Sequence, residues 1–261
     1  MHLIALFCTD PDVVDALTQV EQPSYHLHPV ALKQPLAAAL NALESLEFAG
    51  ALVLGEELQR QAFNQVQRSS LDAQTSQAVD TVTVTPLGLV GEYTLGRALG
   101  RALLADAWDV RDARVVVLGA GAEATVLAKE LASLGASHVT VLAQDRPAAE
   151  KALPPLAATV TTQARALSEP LAGSYVEQAD VLVRTDPTLK VDKNVLGPHL
   201  SVIDLSPTPL SPLRKAALGV GAKSLGLRDI QAYQAALALS HVLGSVVEVD
   251  AFLTLFHGQV Q

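Results

Sequence analysis

The chain has 261 residues, 49% apolar, 17% charged and only 4% aromatic, enough for one large domain or two small ones of helices on parallel sheet. Its net charge of −9 and pI near 5.2 set an acidic surface against phosphate backbones, which excludes nucleic acid as a partner class but not a nucleotide held by backbone N–H groups. With Cys8 as the one cysteine, an intrachain disulfide and a zinc–thiolate cluster are both excluded, and the expected location is the cytoplasm.

The N-terminus is apolar only from Leu3 to Thr9, lacks a basic leader and meets Asp10 early. It reads as a first strand and not as a signal peptide. "PDVVDALTQV" follows as a helix with proline at its start, and "YHLHPV" as a second strand. "LKQPLAAALNALESLEF" reads as a helix, with Leu36, Leu40, Leu43 and Leu46 at steps of three and four. "GALVLG" is a buried strand, "EELQRQAFNQV" a helix, and the alternating "AVDTVTVT" a strand. This alternation predicts a mostly parallel sheet covered on both faces. The pattern is helical from Thr94 to Ala107. Val115–Leu118 then forms a strand, a helix runs up to Gly135, and a strand follows from His138 to Ala143. "ADVLVRT" and "LSVIDLS" add strands, and one or two helices close the chain. No window approaches the roughly 18 to 20 apolar residues of a membrane span.

Chemistry first enters at Gly119-x-Gly121-x-x-Ala124, between a strand and a helix of one βαβ unit. Gly119 permits the tight turn, Gly121 and Ala122 let backbone approach a pyrophosphate, and Ala124 is small enough for helix–strand packing. The helix N-terminus offers N–H groups and a positive dipole end to phosphates. After the next strand, Gln144, Asp145 and Arg146 occupy the region that separates NAD from NADP: an acid bonds the ribose 2′-hydroxyl, an arginine a 2′-phosphate. Asp145 falls late for the first role and Arg146 late for the second, so the residues leave NADP and NAD both open.

The order of motifs resembles the shikimate dehydrogenase family over nearly the whole chain. "FAGALVLGEE" lies where that family has Gly-x-Asn-Val-Thr-x-Pro-x-Lys, and "AVDTV" is similar to its Ala-Val-Asn-Thr-Val strand. "GEYTLG" sits at Gly-Tyr-Asn-Thr-Asp-Gly, "GAGAEA" at Gly-Ala-Gly-Gly-Ala-Ala, and "GLRDIQAYQAA" at the closing Gly-x-x-Met-Leu-x-x-Gln-Ala. The resemblance implies an N-terminal α/β substrate domain (1–102, joined by C-terminal helices at 230–261) and a Rossmann-type dinucleotide-binding domain (103–229). It also implies an active site in the cleft between them, hydride exchange between NADP and shikimate or 3-dehydroshikimate, a Lys–Asp acid–base pair, and a place in aromatic amino acid biosynthesis.

The departures gather at that implied site. The family's lysine falls on Glu57 or its neighbour Glu56, and its aspartate on Leu95. A carboxylate in place of the lysine can be a base but cannot stabilise an alkoxide, and a leucine moves no proton. The Ser-x-Ser carboxylate clamp is replaced by Cys8-Thr9-Asp10, the asparagine of the Ala-Val-Asn-Thr strand by Asp80, and Asn-Ala-Thr-Pro by Arg184-Thr185-Asp186-Pro187. "DLSPTPLSPL" is shorter than the family's Asp-x-x-Tyr-x-Pro loop and lacks its tyrosine, whereas Gln234 keeps the family's glutamine. Expected pocket residues are therefore Asp80, Thr94 and Gln234. Gly119, Gly121, Ala122, Ala124, Gln144, Asp145 and Arg184 are expected at the cofactor. Glu56 and Glu57 also read simply as first-turn acids of a helix. His26 and His28 share a strand face without a third ligand, so no metal is expected, and His241 and His257 read as solvated or structural. Three functions stay open: a divergent NAD(P)-dependent oxidoreductase acting on a hydroxy acid or polyol, a non-catalytic binder of a dinucleotide or small ligand, and authentic shikimate dehydrogenase. The expected partner is a small-molecule substrate, with no nucleic acid and no membrane, on a monomer or homodimer.

Overall fold

The computed structural model describes residues 1–20, 22–33 and 35–258, with side chains up to Phe256. His257 thus carries its side chain outside the described ones. The chain divides into two units, Met1–Ala98 with Ala232–Gln261, and Leu99–Gln231.

In the first unit, β1 (His2–Phe7), α1 (Pro11–Thr18), β2 (Tyr25–Pro29), α2 (Leu36–Ala42), β3 (Phe48–Val53) and α3 (Glu56–Phe63) alternate as the pattern predicts. Then come β4 (Arg68–Ser69), α4 (Leu71–Ser76), β5 (Thr81–Thr85), β6 (Gly88–Glu92) and α5 (Leu95–Ala105), the last running into the second unit. The sheet order is β2-β1-β3-β5-β6-β4. It is mixed: β1 pairs β2 and β3 in parallel and β4 pairs β6 in parallel, but β3–β5 and β5–β6 are antiparallel. The β5–β6 reversal is a hairpin. Thr85 opposes Gly88 across Pro86-Leu87, Gly88 has φ 99°, and the Thr85 hydroxyl donates to the Gly88 carbonyl at 2.7 Å. A turn that short cannot return a parallel strand.

The sequence pattern and the structure differ at two places. The helix expected across "LKQPLAAALNALESLEF" starts after Pro35 and ends at Ala42, and its Gln34 lies outside the described residues. Glu47 takes φ 61°, which stops the chain so that β3 can begin at Phe48. Leu36, Leu40 and Leu43 are buried, but Leu46, beyond the helix, is 60% exposed. "GLVGE", which the sequence pattern assigns to no element, forms β6. Gly91 lies in that strand because a Cβ there would come within 2.6 Å of the Val79 side chain.

The second unit holds β7 (Arg114–Leu118), α6 (Gly121–Ser133), β8 (His138–Ala143), α7 (Arg146–Ala152), β9 (Thr161–Ala166) and α8 (Ala172–Glu177). It continues through β10 (Val181–Arg184), β11 (Ser201–Asp204), α9 (Pro212–Gly219) and β12 (Ser224–Gly226). All its pairings are parallel, in the order β12-β11-β10-β7-β8-β9. This is a Rossmann-type sheet, whose strands are near-continuous apolar runs because both faces are covered. Its core gathers Val116, Leu118, Leu142, Leu182, Val202 and Leu213.

α10 (Leu227–Leu243) returns the chain to the first unit, and α11 (Asp250–Gly258) follows. Ala232, Ala235, Ala236 and Leu239 of α10 and Phe252 and Phe256 of α11 join Ile4, Leu6, Leu17 and Leu52 in one core. Alanine on several sides of α10 lets it be buried nearly all round.

Candidate functional site

In the second unit, sheet order reverses between β7 and β10, and ligands of doubly wound sheets bind outside the carboxyl ends of the strands at such a point. The glycine loop leaves β7 there. Gly119 has φ 136°, its N–H is fixed on the Leu142 carbonyl at 2.9 Å, and a Cβ on it would collide with the Thr185 hydroxyl. Gly121 has φ 87° and opens α6 after Ala120, which supplies no side-chain cap. The first-turn N–H groups of this long helix are thus left to backbone, solvent or a ligand. Ala124 is fully buried against the sheet and Ala122 half-buried at the rim. Thr185, directly after β10, is 9% exposed and its Oγ1 has no hydrogen-bond partner. An orphaned hydroxyl beside a glycine turn at positive φ and a helix start without a side-chain N-cap fits a bound phosphate group. Half-buried Glu123 in the first turn of α6 works against it by charge.

The other expected cofactor residues have local roles. Gln144 is exposed, and Asp145 caps α7 by accepting from the Ala148 N–H at 2.8 Å. Arg146 pairs with Glu150 at 2.9 Å. Arg184, expected at the cofactor, has its guanidinium engaged inside the unit. Nε and Nη2 donate to the two Asp204 oxygens at 3.0 and 2.7 Å, and Nη1 donates to the Leu189 carbonyl at 3.4 Å. The register that pairs Arg184 with Asp204 across β10 and β11 makes this ion pair, and the Ser211 hydroxyl completes it. Arg184 is a buried strut.

In the first unit the three expected pocket residues meet, and they meet each other. The Asp80 side chain, 1% exposed, accepts from the Thr94 N–H at 2.7 Å, the Thr94 hydroxyl at 2.9 Å and Gln234 Nε2 at 2.7 Å, all on Oδ2. Thr81 donates to its Oδ1 at 2.8 Å. Burial pushes the Asp80 carboxyl above the ordinary carboxylate range, against the pull of these four donors. Asp80 thus ties β5, the start of α5 and α10 together.

Glu57 and Leu95, where the sequence resemblance expects the acid–base pair, differ in character. Glu57, in the first turn of α3, is exposed, and Gln61 first and Arg60 second hold its carboxyl below the usual range. Leu95, first residue of α5, is 3% exposed within the core. Of the clamp positions, Cys8 is half-buried with its thiol directed to the Asp10 carbonyl at 3.6 Å, and Asp10 caps α1 by accepting from Asp12 N–H at 3.0 Å. His26 and His28 are exposed on β2 with ring centroids 6.4 Å apart. Among the described residues no group of three or more His, Cys, Asp or Glu could hold a metal, and no helix is long and apolar enough to cross a membrane.

One cluster has no counterpart in the sequence reading. Arg97 Nη2 donates to Glu92 at 2.8 Å, its Nη1 lies 2.9 Å from His241 Nε2, and its Nε is 4.0 Å from Asp72. His241 follows Gln234 by seven positions and so shares its face of α10, a spacing legible in sequence, but its arginine partner is not. Burial first, and the Arg97 charge second, push the His241 pKa below 6.5, against the pull of Glu92 and Asp80. The folded state therefore favours neutral imidazole. Its contribution to stability is complete above 6.5 and is lost as pH falls through that value toward the depressed one. Melting curves of the parent and His241→Gln should converge on acidification from about pH 7 to about pH 5. Parallel curves would mean that the imidazole titrates normally.

No family model matches the chain. Among curated proteins, the shikimate dehydrogenase (NADP(+)) of Methanosarcina acetivorans is 32% identical over 187 residues, covering 67% of this chain and 66% of that protein. Among solved structures, the ligand-free 5-ketofructose reductase of Gluconobacter superposes with a TM-score of 0.80 at 22% identity, over 99% of this chain and 98% of that one. The shikimate 5-dehydrogenase of Listeria monocytogenes, in complex with shikimate and NAD, gives a TM-score of 0.81 at 18% identity, over 98% and 96%.

Proposed function

The chain is a homologue of the shikimate dehydrogenase family, strongly in structure and weakly in sequence, and from that premise we propose a divergent NAD(P)-dependent oxidoreductase whose substrate is a polyol or hydroxy acid other than shikimate. The observation that carries the reading is the end of β7: an uncapped α6 start, two glycines at positive φ and the orphaned Thr185 hydroxyl in one place. A bound dinucleotide, NADP or NAD, would supply the hydride acceptor or donor. Gly119, Gly121 and Ala122 would hold its pyrophosphate on backbone, with Ala124 seating the helix behind them. Gln144 and Asp145, exposed beyond β8, are the side chains available to its adenosine ribose.

What departs is the proton chemistry. Leu95 is apolar and buried, and Glu57 is a surface carboxylate paired with Arg60. Neither can act as the family's lysine and aspartate do, each of which would contribute about 10²–10⁴-fold. Asp10 where a carboxylate clamp is expected disfavours an acidic substrate by like charge. The Gluconobacter protein of the same fold is named a 5-ketofructose reductase, which supports a neutral sugar or polyol as the substrate class proposed here. A second reading, a non-catalytic binder of the same dinucleotide, is favoured by the burial of Leu95 and by the closure of Asp80, Thr94 and Gln234 on one another.

Calorimetry with NADP and NAD, followed by a screen of shikimate, quinate and neutral polyols and ketoses for nucleotide turnover, tests these readings. Dinucleotide binding is expected, with turnover of a polyol or ketose and little of shikimate. Rapid shikimate oxidation would establish the authentic activity and sink the divergent one. Binding with no turnover at all would leave the second reading.

A further inference from the structure

The Thr185 hydroxyl serves nothing in the unliganded fold. It is buried, it has no partner, and a Cβ on Gly119 would collide with it. Buried hydroxyls in folded proteins are nearly always bonded, so an orphan calls for a physical account. Here its surroundings provide one.

The backbone around the hydroxyl is fixed from both strands. Thr185 N–H donates to the Leu118 carbonyl at 3.0 Å, which ties the end of β10 to the end of β7 where the sheet order reverses. The preceding residue is anchored by the bidentate Arg184–Asp204 pair. Neither contact uses Oγ1. The hydroxyl is thus held next to the glycine turn and the uncapped start of α6, with its donor free, where the local dipole attracts negative charge. A hydroxyl in that field is suited to an anionic oxygen.

We propose that Thr185 Oγ1 is a ligand contact, donating to the pyrophosphate of a dinucleotide seated on the Gly119–Gly121 turn. The inference rests on the dinucleotide reading above and adds to it a side chain beyond the backbone cradle. It also accounts for Gly119 in a second way: any larger residue there would displace the hydroxyl as well as strain the turn.

The test is Thr185→Val beside Thr185→Ser, with affinities for NAD, NADP and ADP-ribose measured by calorimetry and melting temperatures measured without ligand. Valine keeps the branched shape and removes only the hydroxyl. A donor to a charged oxygen is worth about tenfold or more in affinity, so Thr185→Val should weaken all three ligands by that factor, and Thr185→Ser should stay close to the parent. Because the unliganded fold loses no hydrogen bond, Thr185→Val should melt no lower than the parent. Undiminished affinity in Thr185→Val, while the parent binds, overturns this contact and leaves the dinucleotide reading standing. Loss for NAD and NADP but not for ADP-ribose overturns the pyrophosphate assignment. A parent that binds none of the three at millimolar concentration overturns the dinucleotide reading, and the contact with it.

Discussion

Asp80→Ala should destabilise the first unit by about 3–5 kcal/mol, whereas Asp80→Asn should cost about 1 kcal/mol or less. The Asp80 carboxylate receives four hydrogen bonds in a fully buried position. Two of the donors, the Thr94 N–H and the Gln234 Nε2, lose their acceptor when the carboxylate is removed. Alanine leaves both unsatisfied out of reach of water, at about 1–3 kcal/mol each. Asparagine keeps an acceptor for the three bonds on Oδ2, and its amide can donate to the Thr81 hydroxyl, which can reverse its role. Asparagine also removes a burial penalty. The Asp80 pKa is raised in the folded state above 3.8, so its contribution is most favourable below that value and is lost as pH rises through the folded one. Relative to the parent, Asp80→Asn should therefore gain from acid toward neutral pH. Urea unfolding of the two variants decides the matter. If asparagine proves as damaging as alanine, the charge of Asp80, and not its acceptor geometry, holds α10 in place.

The residues that make this knot were legible in sequence, but their relation was not. "AVDTV", "GEYTLG" and "QAYQAA" supplied Asp80, Thr94 and Gln234 as a group, because each lies in a motif whose order resembles a known family. Motif order says which residues converge. It does not say whether they converge on a ligand or on one another, which depends on rotamers and on a contact 154 residues apart in the chain. The Rossmann-type unit was read more fully, since its strands are continuous apolar runs and its glycine turn is a local pattern. The antiparallel β5–β6 hairpin was missed because its glycines, Gly88 and Gly91, mask a strand: one supplies the turn and the other avoids valine side chains. Arg184 and Thr185 were adjacent letters with the emphasis reversed. The charged residue drew attention, but strand register buries its charge against Asp204 and leaves the neighbouring hydroxyl beside the glycine loop.

Leu95→Asp should cost more than about 4 kcal/mol, the range reserved for changes with a specific structural cause. The side chain is 3% exposed at the first position of α5, so the substitution removes the burial of a leucine, about 1.5–3 kcal/mol, and places a carboxyl in that buried position. A position at a helix N-terminus recovers part of this through the dipole, about 0.3–1 kcal/mol, too little to reverse the sign. Glu57→Lys, at an exposed site, should leave stability close to the parent's, losing contacts with Arg60 and Gln61 that surface screening keeps small. The two substitutions together would place a lysine and an aspartate where the sequence resemblance expects the family's acid–base pair, and their unequal cost is informative about function. A heavy cost at Leu95 means that the surrounding core has closed over the position, so that a proton-transferring group cannot return there by a single change. Chemical unfolding of Leu95→Asp, Glu57→Lys and the double variant measures this directly. A cost below about 1 kcal/mol at Leu95 would instead mark a site where water and a carboxylate are still admitted, and would favour authentic shikimate oxidation with a relocated base.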